Sequence, residues 1–169
     1  MRLYLVRHAT AVPRGSSARP QDAQRPLTPD GEREAERIAE GLKRLKLGIE
    51  LVVTSPWARA VQTAERIAQV LGRQAPVREL SALRGDADPS ETSLALKAFA
   101  GYHSVLLVGH EPHLSAWLAE LVVLRGGLQV VIKKGGVACV EVKRVPPSQG
   151  SGTLRWLMTP KQLTLIGKG

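Results

Sequence analysis

The sequence predicts an α/β fold of three layers, with a mainly parallel central sheet, helices on both faces and at least one antiparallel strand. Three observations predict it. Short apolar runs at Leu3–Val6, Leu51–Thr54 and Ser104–Val108 alternate with longer segments of helical periodicity. The helical segments open on Thr28-Pro29, Ser55-Pro56 and Pro112, and Pro suits the first turn because its missing N–H has no helical partner there. Two late apolar runs, Val137–Val142 and Thr153–Met158, flank a Pro-Pro-Ser-Gln-Gly-Ser-Gly turn and read as an antiparallel hairpin. A length of 169 residues, against about 100–200 per domain, argues for one domain spanning 1–169.

Leu3–Val6 is bounded by Arg2 and Arg7-His8 and reads as a buried strand. Residues 10–26 carry Pro13, Gly15, Ser16, Ser17, Pro20 and Pro26, which is loop chemistry. A helix then starts at Thr28-Pro29-Asp30-Gly31-Glu32, with Thr28 as cap and acids in its first turn. Its apolar face is Ala35, Ile38, Ala39, Leu42 and Leu45, and Gly48 ends it. After the second strand, Ser55-Pro56 opens a helix with Ala60, Ala64, Ile67, Ala68 and Leu71 inward and Gly72 as its stop. Residues 76–90 read as irregular, and 92–100 as a short helix. Ser104–Val108 is the third strand. The helix from Pro112 buries Leu114, Trp117, Leu118 and Leu121.

Lys and Arg number 24 against 15 Asp and Glu, a net charge of +9. Such a surplus favours an anionic partner: a phosphate ester, an acidic protein or nucleic acid. Only 6 aromatic residues offer stacking platforms, which disfavours single-stranded nucleic acid. Cys139 is the one cysteine, so an intrachain disulfide and a Cys-rich zinc cluster are excluded. No apolar run approaches the ~20 residues of a membrane span. The opening Met1–His8 is too quickly charged for a signal peptide, so the expected compartment is the cytoplasm.

The chemistry sits where strands end. In open α/β sheets, ligands bind beyond the carboxyl ends of the strands. Arg7 and His8 follow the first strand, Ser55 and Arg59 the second, and Gly109 and His110 the third. Each alone has an ordinary reading, as a surface charge, a hydrogen-bonded histidine or a helix cap. Together they place two imidazoles and two guanidiniums at one edge. That set suits phosphoryl transfer. A neutral imidazole attacks phosphorus, and arginine forks match the charged oxygens of the transferring group without a metal. A second histidine, protonated, would donate a further hydrogen bond. His110 and His113 are spaced three apart, but the nearby arginines would repel a cation, so no metal and no cofactor are expected.

The motifs Arg7-His8-Ala9, Arg25-Pro26-Leu27-Thr28-Pro29-Asp30-Gly31, Ser55-Pro56-Trp57-Ala58-Arg59-Ala60-Val61-Gln62-Thr63-Ala64 and Val108-Gly109-His110-Glu111-Pro112 resemble those of the histidine phosphatase superfamily. More narrowly, they are similar to its short phosphohistidine phosphatases. The resemblance implies a phosphoglycerate mutase-like core without a large helical lid. It implies His8 as a nucleophile that becomes phosphorylated, with Arg7, Arg59 and His110 holding the phosphoryl group. The family's Arg-His-Gly reads Arg-His-Ala here, a departure that matters only if the position demands positive φ.

Many members of the superfamily use a glutamate after the second helix as general acid. Ala82 stands near that position, and Glu79, Asp22 and Asp86 are the carboxylates in reach. Asp22 is preferred, because short relatives also carry an aspartate three residues before that arginine. A phosphohistidine substrate could dispense with a donor, since imidazole leaves more readily than an alkoxide. The expected activity is thus a metal-independent phosphatase acting on protein phosphohistidine. The alternatives are a small-molecule phosphomonoesterase or mutase, and a phosphate- or nucleic-acid-binding module without catalysis. Trp57, Trp117 and Trp156 read as packing residues, with substrate contact the alternative for Trp57 beside the helix start near Arg59, while Arg125, Lys133 and Lys134 read as solvated charges and Cys139 as core.

Overall fold

The computed structural model describes residues 1–15, 21–72, 75–125 and 127–169. Among them the chain forms β1 (Arg2–Arg7), α1 (Pro29–Arg44), β2 (Leu51–Thr54), α2 (Ala58–Leu71), β3 (Val77–Glu79), α3 (Pro89–Ala95), β4 (Ser104–Gly109), α4 (His113–Val122), β5 (Val137–Val142), β6 (Gly152–Met158) and α5 (Pro160–Lys168). One sheet runs β3-β2-β4-β1-β5-β6. Its first four strands are parallel, while β5 and β6 are antiparallel to their neighbours. The expected α/β fold is the observed one.

Strand alternation divides the core in two. Leu3, Leu5, Leu51, Val53, Val105 and Leu107 face one layer with Leu114, Trp117 and Leu118 of α4. Tyr4, Val6, Val52, Leu106 and Val108 face the other with Ile38 and Leu42 of α1, Ala60 and Ile67 of α2, and Leu163 of α5. Cys139 is buried in that second layer. The expected turn of 146–152 does join an antiparallel pair, with an irregularity between Cys139 and Val140.

Several boundaries differ from expectation, each for a local reason. The helix after Ser55-Pro56 begins two residues later, at Ala58, because the Ser55 hydroxyl accepts the Trp57 N–H before the helix starts. The region 76–90 is not irregular throughout. Val77–Glu79 forms a short edge strand on β2, and Pro89 starts a helix capped by Asp88, which accepts from Ser90 N–H at 2.8 Å. The short helix expected at 92–100 therefore starts earlier and tightens into a 3-10 turn at Leu96–Phe99. The helix α5 had no counterpart in the expectations. It opens with a capping box between Thr159 and Gln162, two groups that satisfy each other's backbone donors. It packs closely on α1: a Cβ on Gly41 would lie 2.3 Å from the Leu163 carbonyl oxygen. The loop expected at 10–26 is held at its described ends by an Ala11–Leu27 bridge and a 3-10 turn at Asp22–Gln24. Its residues 16–20 lie outside the described residues. Among the described residues, no helix is long and apolar enough to cross a membrane.

Between α2 and β4 the described chain holds β3, a seven-residue helix and 3-10 turns. No long helix covers the carboxyl edge of the sheet there. That edge is where the parallel register gathers chemistry. Arg7 pairs with Gly109, and Thr54 with Val108. The next backbone donors continue the ladder: His8 N–H to Gly109 O at 3.0 Å and Ser55 N–H to Val108 O at 2.9 Å.

Candidate active site

A cavity of about 610 Å³ opens at this edge, and Arg7, His8, Arg59 and His110 all line it. The His8 and His110 rings are 5.0 Å apart between centroids. All four expected residues are thus brought together around one space.

His8 is fixed by two contacts. Its Nδ1 lies 2.7 Å from the Ala9 carbonyl oxygen, which only accepts, so Nδ1 carries the proton. Its Nε2 faces the Nε–H of Arg59 at 3.1 Å and must be the acceptor. The acceptor that orients the imidazole, which the sequence left open, is therefore a backbone carbonyl one residue on. Burial lowers the His8 pKa to about 4. The Ala9 carbonyl opposes that shift, and the charges of Arg59, Arg7 and Lys134 add to it. Near neutral pH His8 is uncharged, with its lone pair on Nε2.

The motif residues explain how these parts are held. Ala9 N–H donates to Thr63 Oγ1 at 3.1 Å, and that hydroxyl donates to the Arg59 carbonyl at 2.7 Å. Thr63 thereby ties the chain beyond β1 to the first turn of α2. Gln62 Oε1 accepts the Leu27 N–H at 2.7 Å and holds the incoming loop. Ala9 is not in the positive-φ region; among the described residues, Lys46 alone of the non-glycines is. Alanine in place of the family's glycine is accommodated without strain.

His110 departs from expectation in its charge. Burial lowers its pKa to about 2, and the neighbouring His8 and Arg59 push the same way. It is neutral, not protonated. Its Nε2 is 2.8 Å from Ser55 Oγ. Ser55 Oγ also accepts the Trp57 N–H and keeps one proton and one further lone pair, so it can serve either tautomer of His110; with the hydroxyl donating to Nε2, the ring's proton sits on Nδ1. That Nδ1 and Arg7 Nε are buried without a partner among the described residues. Arg7 donates through Nη1 to the Ile132 carbonyl at 2.9 Å. Trp57 packs on His110 with centroids 4.5 Å apart, and the Arg59 guanidinium lies 4.7 Å from the Trp57 ring.

The proton-donor candidates separate. Asp22 does not line the cavity. Burial favours its neutral form, but hydrogen bonds from Arg14 and Arg25 and the charge of Arg59 outweigh it, and the carboxyl sits well below its usual range. It is ionised and has no proton to deliver near neutral pH, so the structure does not support the preferred assignment. Glu79 lies on the exposed edge strand and does not line the cavity either. Asp86 does line it, paired with Arg84 at 3.0 Å.

The cavity also holds residues that sequence reasoning did not assign. Arg25 stood out only as part of a motif, yet it lines the wall with its side chain 13% exposed. Lys134, expected as a solvated charge, lines the cavity. The signal for Lys134 was the hairpin itself. An antiparallel strand begins where its parallel neighbours end, so residues just before β5 reach the same edge, as Arg7 N–H to Gly136 O at 3.2 Å shows. Glu111 also lines the cavity, and its Oε1 accepts from Ile132 N–H and Ser115 Oγ. His113 is not a ligand-like residue: it is buried, with Nε2 3.0 Å from Thr92 Oγ1 and Nδ1 3.0 Å from the Ala87 carbonyl.

At this sheet edge an uncharged imidazole is thus framed by guanidiniums. The chain belongs to the histidine phosphatase superfamily, branch 1, whose family model matches residues 3–86. Within it, the chain is 31% identical over 167 residues to the phosphohistidine phosphatase SixA of Escherichia coli K12, covering 98% of each. The solved structure of the protein histidine phosphatase SixA complexed with tungstate superposes with a TM-score of 0.80, at 31% identity, over 96% of this chain and 99% of that one. An uncharacterised protein of Picosynechococcus is 36% identical over 138 residues, 81% of this chain and 82% of its own.

Proposed function

We propose that the protein is a metal-independent phosphatase that works through a phosphorylated His8 and acts on phosphohistidine in proteins. The observation that carries the reading is the tautomer of His8. With Nδ1–H held by Ala9 O, the lone pair of Nε2 is turned to the side of Arg59. Similarity to SixA, a phosphohistidine phosphatase, supports the choice of substrate.

The steps follow from these atoms. His8 Nε2 forms a bond to phosphorus while the bond from phosphorus to the leaving imidazole nitrogen breaks. The charge on the phosphoryl oxygens is met by Arg59 and Arg7 and by the Nδ1–H of His110. Arg7 Nε and His110 Nδ1 are buried without partners among the described residues, and such oxygens would satisfy both in the His110 tautomer with its proton on Nδ1. Water then attacks phosphorus, the bond to His8 Nε2 breaks, and phosphate and neutral His8 are restored. With a proton already on its other ring nitrogen, the substrate imidazole leaves as a neutral base, so this substrate does not require the side-chain acid that an alkyl ester would. The site's open mouth, with no long helix over it among the described residues, admits a side chain carried on a folded protein.

Two measurements test the reading. Brief incubation with a labelled aryl phosphate, then quenching in alkali, should trap one phosphate per chain in an acid-labile bond, and His8→Ala should trap none. A fully active His8→Ala enzyme would end the mechanism. Turnover of a phosphohistidine protein should exceed that of sugar phosphates and 3-phosphoglycerate; the reverse order would make the protein a small-molecule phosphatase.

A further inference from the structure

Asp22 sits at the meeting point of three guanidiniums. Its Oδ1 accepts from Arg14 Nε at 2.9 Å and from Arg25 Nε at 2.8 Å, and its Oδ2 accepts from Arg59 Nη2 at 3.1 Å. Its backbone carbonyl accepts from Arg59 Nη1 at 2.6 Å. All three arginines line the cavity, and Asp22 does not. The carboxylate therefore stands behind a wall of cations and not in the reaction space.

We infer that Asp22 is a positioning residue for phosphate recognition, a strut that gathers Arg14, Arg25 and Arg59 into one surface for the phosphoryl oxygens, and not the proton donor. The inference rests on the phosphatase reading above. Three guanidiniums converging on one space repel one another, and a single anion behind them offsets that repulsion. Arg59 shows the strain: burial lowers its pKa, Arg25 and Arg14 lower it further, and Asp22 opposes them. The two contacts from Asp22 also fix the orientation of the Arg59 fork. Its Nη1 and Nη2 each donate to Asp22, which holds Nε toward His8 Nε2, where the phosphoryl group would be bonded. Asp22 lies in a 3-10 turn with no buried residues, so its charge is removable without opening the core.

The two roles predict different kinetics. A proton donor matters in proportion to the basicity of the leaving group and does not affect the binding of free phosphate. A strut affects phosphate binding whatever the leaving group. The experiment compares wild type, Asp22→Asn and Asp22→Glu. It reads the inhibition constant of inorganic phosphate, and kcat and KM for an aryl phosphate and an alkyl phosphate. In Asp22→Asn the phosphate inhibition constant and both KM values should rise together by about tenfold, with equal kcat changes on the two esters. Asp22→Glu, which restores the charge, should recover part of the loss. Loss confined to the alkyl ester with phosphate binding unchanged would overturn the inference and restore Asp22 as donor. Unchanged or tighter phosphate binding in Asp22→Asn would also overturn it. If the wild type turned over neither ester, the phosphatase reading would fail, and phosphate affinity measured by calorimetry would still decide the strut.

Discussion

The Nε–H of Arg59 points at Nε2 of His8 across 3.1 Å. Arginine does not give up that proton, so the imidazole nitrogen must be the acceptor. The Ala9 carbonyl reaches the same tautomer from the other side of the ring. Two contacts from different segments thus agree on where the lone pair lies. Once a phosphoryl group occupies Nε2, the same N–H has a phosphoryl oxygen as its next acceptor. Arg59→Lys keeps the charge but loses the planar fork. It should lower kcat by about 10²–10³, the scale of removing one preorganised donor at a developing charge. Steady-state kinetics with circular dichroism would check it, and a near-wild-type kcat would show that charge alone suffices.

Acid should inactivate the protein in a particular window. The folded pKa of His8 is about 4 and that of His110 about 2, both below the ordinary 6.5. As pH falls below 6.5 the unfolded chain takes up these protons first, so stability is lost progressively through pH 4 and toward 2. For His8 the effect is on the order of 3 kcal/mol, since each tenfold change in proton affinity is worth about 1.4 kcal/mol. Activity in the free enzyme should fall on an acid limb centred near pH 4, because protonated His8 has no lone pair to offer. Arg7→Ala removes one of the charges that depress His8, so the limb should move up in pH. A limb that stays near 6.5 in the wild type would mean that His8 is solvated and not buried.

Gly31 lies in the Thr28-Pro29-Asp30-Gly31 motif but does not touch the cavity. A Cβ there would lie 1.9 Å from the Thr10 carbonyl oxygen, which itself accepts the Thr28 N–H at 3.0 Å. The helix and the chain after β1 approach backbone to backbone, and neither side has a flexible end to yield. Gly31→Ala should lower stability by about 2 kcal/mol or more, despite alanine's better helix propensity, because an overpacked contact must shift the loop. Thermal unfolding would measure it. A melting point at or above wild type would show that the loop moves freely.

The legible part of the sequence was the part written in local chemistry. Apolar runs and Pro-led helix starts located the parallel strands, and the residues after β1, β2 and β4 do share one cavity. What stayed hidden depended on neighbours in space. The three-residue β3 has exposed side chains and no apolar run, and only pairing with β2 makes it a strand. The capping box at Thr159-Gln162 was a readable signal for α5 that hydrophobic periodicity alone overlooked. The role of Asp22 was not readable, because a carboxylate that delivers a proton and one that gathers arginines look alike in a loop. Neutral His110 was hidden for the same reason: its charge is set by burial and by His8, which sequence distance does not reveal.

Ser55 offers a direct test of how His110 is set. Its Oγ lies 2.8 Å from His110 Nε2 and accepts the Trp57 N–H at 3.3 Å, so one hydroxyl serves both the ring and the entry to α2. With the hydroxyl donating to Nε2, the proton of His110 sits on Nδ1, the nitrogen proposed to meet the phosphoryl group. Ser55→Ala leaves Nε2 buried without a donor, which costs about 1–3 kcal/mol unless the ring changes tautomer. If it does, Nε2 takes the proton and Nδ1 becomes an acceptor facing anionic oxygens. Activity should then fall by about tenfold or more while the fold survives, a loss of the size expected from one misdirected donor. Nitrogen-15 spectra of the His110 ring would show the proton leaving Nδ1. A ring that keeps its tautomer, together with unchanged kcat, would show that Ser55 supports the helix start and leaves the chemistry alone.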